Sequence, residues 1–131
     1  MHVTTSFSAA ALAVVISVGA ASADPAKGTW LTGADAKGQV AHVDVYACGA
    51  SLCGKIVRAF TSAGKRVNTP TVGTRVFWDM VSSGAGTYSG RAYVPAHNRD
   101  YAATMRLSGN SLRVKGCLGP VCQSQTWTRV R

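Results

Sequence analysis

Residues 39–60 read QVAHVDVYACGASLCGKIVRAF. Over 39–47 the apolar side chains fall on every second position. Ala41, Val43, Val45 and Ala47 share one face, and His42, Asp44 and Tyr46 share the other. A period of two is the signature of a half-buried β-strand, because successive side chains of a strand point to opposite faces. Residues 54–60 (GKIVRAF) form a second β-branched and aromatic run. The segment Cys48–Cys53 lies between them. Four intervening residues suit a hairpin loop that places the two cysteines opposite each other. The unit is therefore strand, cysteine hairpin, strand.

The same grammar continues in both directions. Upstream, 28–32 (GTWLT) is a strand, followed by the turn GADAKG. Downstream, 61–74 is the longest polar segment and reads as a loop. Strands follow at 75–81 (RVFWDMV), 87–94 (TYSGRAYV), 99–107, 112–117 (LRVKGC) and 122–130 (CQSQTWTRV), separated by SSGAG, PAHN, SGNS and a second cysteine loop. In 99–107 the residues Tyr101, Ala103, Met105 and Leu107 alternate with Asp100, Ala102, Thr104 and Arg106. No helical stripe is legible after residue 23. The expectation is an all-β domain of about eight short antiparallel strands with short connections. Such a meander closes into an up-and-down barrel or folds as a two-layer sandwich. Closure is favoured because it leaves no edge strand to template aggregation.

The whole chain has 131 residues, 14 Lys+Arg, five acidic residues and a formal net charge of +9. That length suits one domain. Residues 7–21 (FSAAALAVVISVGAA) are small and apolar, short for a membrane span, and run into Ala21-Ser22-Ala23. This small-x-small end is a signal-peptidase site, so residues 1–23 are expected to be a cleaved signal peptide and 24–131 a single mature domain in the periplasm or secreted. The basic and acidic residues all lie after Ala23.

Four cysteines fall in two pairs of identical spacing, Cys48-x4-Cys53 and Cys117-x4-Cys122. In an exported chain such pairs oxidise. Spacing alone allows three connectivities. Cys48–Cys53 and Cys117–Cys122 are favoured because each closes a hairpin, and a four-cysteine zinc site is the competing reading.

Little catalytic chemistry is on offer. There is no glutamate, and after residue 23 only two histidines, His42 and His97. His42 and Asp44 share a strand face and read as a surface pair rather than an acid–base couple. No phosphate loop, paired-histidine motif or acidic triplet appears. The expectation is a non-enzymatic protein with no cofactor and no metal. Trp30, Trp78 and Trp127 all fall in strands, where core packing and the lining of a barrel cavity are the two readings. Trp127 and Arg129 share a face and suit a cation–aromatic pair. The cations are spread along the chain, with Lys65-Arg66 and Arg113-x-Lys115 the closest groupings. The charge attracts polyanions. Export disfavours nucleic acid and points to an anionic envelope surface.

Several of these segments together resemble the bacterial family catalogued as domain of unknown function 2147 (DUF2147). They are Gly28-Thr29-Trp30-Leu31, VYACGASLCGKIV at 45–57, the Tyr93-x-Pro95 turn with Tyr101, and VKGCLGPVCQSQTWTRV at 114–130. The resemblance spans nearly the whole of 24–131. It implies a small exported protein and brings no activity. Val94 stands where the family tends to carry an aspartate. A looser resemblance is to lipocalin-like barrels, which open on Gly-x-Trp and close with a basic residue over that ring. Here Gly28-x-Trp30 opens the domain, and Arg129 or Arg131 would cover it. The reading is an exported non-enzymatic barrel that binds a lipid or other amphiphile, or an anionic envelope component. Trp30, Trp78, Tyr101, Trp127 and Arg129 are the candidate barrel-end or ligand-lining residues. The alternative is a disulfide-stapled interaction or inhibitor module that presents its cysteine hairpins to a partner.

Overall fold

The computed structural model describes Thr4, residues 8–13 and residues 24–131. The cleavage motif, and most of the expected signal peptide, lie outside the described residues. Nine strands follow one another: β1 (Gly28–Leu31), β2 (Val40–Cys48), β3 (Ser51–Phe60), β4 (Arg66–Val67), β5 (Arg75–Gly84), β6 (Thr87–Val94), β7 (Arg99–Ser108), β8 (Ser111–Leu118) and β9 (Val121–Arg129). Among the described residues there is no helix. Every pairing is antiparallel. Each long strand pairs with the next, and β1 pairs with both β2 and β9, so eight strands close on themselves. The barrel expected from the alternation is thus realised, and the sandwich is not. The segment 61–74 departs from a plain loop. Its two-residue strand β4 folds back on the end of β3, pairing Val67 with Ala59 and Arg66 with Phe60.

Closure follows from the inward faces. Val43, Val45, Leu52, Ile56, Phe77, Met80, Tyr88, Ala92, Ala103, Met105, Leu112 and Trp127 form one buried cluster with Trp30 and Ala26. The alternations in 39–47 and 99–107 point inward at Val43 and Val45 and at Ala103 and Met105, as expected. Ala47, at the end of its strand, is exposed.

Two glycines make room that the strand pattern alone would not provide. Opposite Gly90, β5 carries an extra residue: Trp78 pairs with Arg91 and Val81 with Ser89, and Asp79 takes a positive φ of 53°. A β-carbon on Gly90 would lie 2.6 Å from the Asp79 carbonyl oxygen. This bulge lets both Phe77 and Met80 point inward although they are three apart. On the other flank the Phe77 ring lies against Gly54, where a β-carbon would overlap it.

Both disulfides have the favoured connectivity, Cys48–Cys53 and Cys117–Cys122, and among the described residues no cysteine is free. The two hairpins are not alike in register. Cys117 and Cys122 are direct cross-strand partners. Cys48 pairs with Ser51, and Cys53 faces Tyr46, so that bond runs diagonally. The expected opposition of the flanking cysteines therefore holds only in the second hairpin. Both turns are tighter than four residues, being Gly49-Ala50 and Gly119-Pro120. Gly49 (φ 62°) and Gly119 (φ 58°) supply the positive φ that a two-residue hairpin turn needs at its first position.

Candidate functional site

Strand direction gives the barrel two unlike ends. One end collects the turns 49–50, 85–86 and 109–110 together with residues 24–27. The other collects the loops 32–39, 61–74, 95–98 and 119–120.

At the first end residues 24–27 seal off Trp30, and beside them Asp24, Lys27, Ala50, Leu52, Met80 and Tyr88 line a concavity of about 550 Å³. Trp30 is fully buried, and its indole Nε1 donates to the Ala26 carbonyl at 2.9 Å. The Arg129 guanidinium lies 4.3 Å from the Trp30 ring centroid. Its Nη1 donates to the Lys27 carbonyl at 2.9 Å and its Nη2 to the Pro25 carbonyl at 2.6 Å. These bonds hold residues 24–27 across the barrel end. Asp24 completes the seal by accepting from the Tyr88 hydroxyl at 2.7 Å and from the Ala26 amide at 2.8 Å. Burial, and then the bond to Asp24, push the Tyr88 phenol up to about 12. The expected cation over Trp30 is thus Arg129. The suggested Arg129–Trp127 pair does not form, because Trp127 points the other way along the barrel.

Trp127 marks the floor. Its ring centroid stands 6.2 Å from that of Phe77. β5 and β9 are four strands apart in an eight-strand ring, so these two side chains meet across the diameter. Between this contact and Trp30 the interior is filled by Met80, Met105, Leu112 and Val43. In this stretch aromatic burial is core packing.

Beyond Trp127 the inward positions change character. Val114, Gly116 and Tyr101 are only half-buried, and Gln123 and Gln125 are exposed. They share the inward face of Leu112, Met105 and Trp127 by strand alternation, yet solvent reaches them. The inward face at the second end, the cup, is thus accessible to solvent above the Phe77–Trp127 floor, where the part of β9 before Thr128 pairs with β8 alone. Its polar groups are fixed. Gln125 Oε1 accepts from Trp127 Nε1 at 2.9 Å, and the Tyr101 hydroxyl lies 2.7 Å from His97 Nδ1. At the rim, beyond the Cys117–Cys122 staple, Leu118 and Val121 are exposed apolar side chains.

The expected site residues thus separate. Trp30 and Arg129 belong to the sealed end, Trp127 to the floor and Tyr101 to the cup. Trp78 belongs to none of these. It is half-buried on the outer face of β5, with the Arg75 guanidinium 4.9 Å from its ring centroid. The bulge at Asp79 explains this correction, since it gives the inward positions to Phe77 and Met80. Of the two cysteine bridges, Cys117–Cys122 is the more accessible, with Cys122 exposed, whereas Cys53 of the other is fully buried. His42 and Asp44 make separate contacts: His42 Nδ1 lies 3.0 Å from Arg58 Nη1, and Asp44 accepts from Thr29 at 2.7 Å. Burial, then Arg58 and Arg131, hold His42 below the ordinary histidine range. Gln123 and Gln125 escaped the sequence reading because polar residues occupy both faces of 122–126. No grouping of three His, Cys, Asp or Glu able to hold a metal occurs among the described residues.

An eight-strand antiparallel meander, sealed at one end by a Gly-x-Trp strand under an arginine and open at the other, defines a lipocalin-like barrel. The chain belongs to the family described as "Uncharacterized protein conserved in bacteria" (DUF2147), whose model matches residues 28–129. It is similar in structure to protein HP1028 from Helicobacter pylori, which is described as belonging to the lipocalin family. The TM-score is 0.62 at 15% sequence identity, over 80% of this chain and 82% of that one. No curated protein matches in sequence. The disulfides suit an oxidising, extracytoplasmic setting.

Proposed function

We propose that this protein is an exported, non-enzymatic carrier or receptor whose open cup takes the apolar part of a lipid or other amphiphile. The observation that carries this reading is the cup itself. Inward-facing Tyr101, Val114, Gly116, Gln123 and Gln125 stay accessible above a closed aromatic floor. A mixed lining of aliphatic and fixed polar groups suits a ligand with one wet and one dry part. The scarcity of histidine and carboxylate supports a binding role over a catalytic one. The lipocalin-like architecture supports it by analogy of fold alone.

Native mass spectrometry of the protein purified from the export compartment tests this. The expected result is a co-purified small amphiphile that is lost in Gln125→Trp, a substitution that fills the cup. Protein that carries nothing, and whose cup resonances do not move on titration with short-chain lipids, would overturn the reading. A second reading rests on the exposed pair Leu118 and Val121, held rigidly above Cys117–Cys122. A stapled apolar tip of this kind suits a protein partner. In that case Val121→Ser abolishes capture of the partner and leaves lipid binding unchanged.

A further inference from the structure

The outward face of β6–β8 carries a cluster of cations with no part in sealing or lining the barrel. Met105 and Leu112 point inward, so Thr104, Arg106, Arg113 and Lys115 point out. Arg106 and Arg113 are direct cross-strand partners, and Thr104 faces Lys115. Thr87 in turn faces Arg106. Like charges directly opposite each other on a sheet are destabilising. The strands β6–β9 hold a single acidic residue, Asp100. It lies six positions along β7 from Arg106, or ~20 Å at the rise of a strand. Arg113 is held by donating from Nη2 to Ser124 Oγ at 3.1 Å. The cations ring a shallow concavity of about 450 Å³, whose lining also includes Ser83, Thr87 and Thr104.

We propose that this concavity is an oxyanion site that takes a phosphate group, carried by a lipid headgroup or by a soluble ester. The proposal extends the binding role above but rests on a different face of the barrel, so it stands if the cup binds nothing. Two guanidiniums present forked donors that match phosphate oxygens, and Lys115 adds a compact charge. The hydroxyls of Thr104 and of Thr87, which accepts from Ser83 Oγ at 3.2 Å, supply further donors. The free oxygens of a tetrahedral phosphate, three in a monoester and two in a diester, carry the full charge of the group and match two forked guanidiniums and a lysine. Bound phosphate also relieves the Arg106–Arg113 repulsion that the free protein carries.

The test uses inorganic phosphate as the soluble probe and two vesicle preparations, one of phosphatidylglycerol and one of phosphatidylcholine. Arg113→Gln is compared with Arg91→Gln, which removes the same charge from the outer face away from the concavity. The expected result is saturable phosphate binding with amide shifts centred on 83, 87, 104, 106, 113 and 115. Arg113→Gln weakens it at least tenfold and Arg91→Gln less than twofold. If Arg113→Gln fails to fold, Arg106→Gln replaces it. Without phosphate, Arg106→Gln melts no lower than the parent protein. Binding to phosphatidylglycerol vesicles that Arg113→Gln alone abolishes assigns the phosphate to a lipid. Binding of inorganic phosphate without vesicle binding assigns it to a soluble ester. Equal losses in Arg113→Gln and Arg91→Gln, or shifts spread over all the basic residues, would overturn the site. Amphiphile binding at the cup with no response to phosphate would overturn this proposal and leave the other intact.

Discussion

Trp30→Ala is the perturbation whose size follows most directly from the structure. The ring is fully buried, and truncating a buried aromatic side chain costs about 3–5 kcal/mol when the cavity stays open. Collapse is hindered here. The segment 24–27 is held by Arg129 through the carbonyls of Pro25 and Lys27, so it does not drop freely into the space. The substitution also strips the Ala26 carbonyl of its donor. With an unfolding entropy of roughly 2.1 cal/mol/K per residue, residues 24–131 lose about 0.23 kcal/mol per kelvin, so the melting temperature should fall by about 13–22 °C. Scanning calorimetry of the oxidised protein measures it. Arg129→Met is the matched control: it keeps an apolar stem over the ring but loses both carbonyl bonds, at a cost of about 1–2 kcal/mol. The double variant should show a coupling of ~0.5–2 kcal/mol between ring and guanidinium. A fall of less than about 3 °C for Trp30→Ala would refute the reasoning, because a domain with only ~5–15 kcal/mol of total stability cannot absorb the loss unnoticed. Unchanged melting with lost ligand binding would move the ring from core to binding surface.

Gly90→Ala forces a β-carbon to within 2.6 Å of the Asp79 carbonyl oxygen; it should cost about 1–3 kcal/mol, read as a lower denaturant midpoint with an unchanged slope. Thiol titration of the denatured, non-reduced protein should find no reactive thiol, and replacing either cysteine pair by alanine should cost no more than about 2 kcal/mol, since each loop is short. Tyr88 is raised from 10.0 to about 12, so the folded state binds the proton more tightly than the unfolded state does. Stability should therefore fall as pH rises from 10 to about 12, and Tyr88→Phe should flatten that slope. His42 is shifted the other way, so stability should drop as pH falls below 6.5, with the His42 ring protons titrating below that value by NMR.

The barrel was legible because its signals are local. In β2 and β7 the apolar residues sit on one face, and Gly, Asn, Ser and Pro mark nearly every turn. Trp30 beneath a cation is what the resemblance to lipocalin-like barrels implies for a Gly-x-Trp opening and terminal arginines, and Arg129 takes that place. Trp78 was not assignable, because its side depends on a bulge that exists only where Gly90 of the neighbouring strand admits the Asp79 and Trp78 carbonyls. Nothing within RVFWDMV marks it. The register of the first cysteine hairpin was hidden for a related reason. Cys-x4-Cys fits both a direct and a diagonal bridge, and the two-residue turn at Gly49-Ala50 selects the diagonal one. The Arg113-x-Lys115 pair was visible as a grouping. Its partner Arg106 was not, because cross-strand register decides which side chains meet.

The two ends and the outer face divide the work of the chain in a way that bears on how it binds. At the sealed end Trp30 donates to the Ala26 carbonyl, Arg129 to those of Lys27 and Pro25, and the Tyr88 hydroxyl to Asp24. These bonds carry stability. On the outer face Arg106 and Arg113 oppose each other at a cost to the free protein. Cost without structural return is a mark of a surface kept for recognition, because a fold whose local choices otherwise agree concedes stability chiefly where a site requires it. The cup lies between these extremes: its rim is stapled by Cys117–Cys122 and its floor is packed, so little ordering remains to be lost when an amphiphile enters. Affinity there should depend on the few accessible groups, and substitutions at Tyr101 and Gln123 should change binding while leaving the melting temperature close to that of the parent, whereas Gln125 also satisfies the buried Trp127 indole and its loss should lower stability as well.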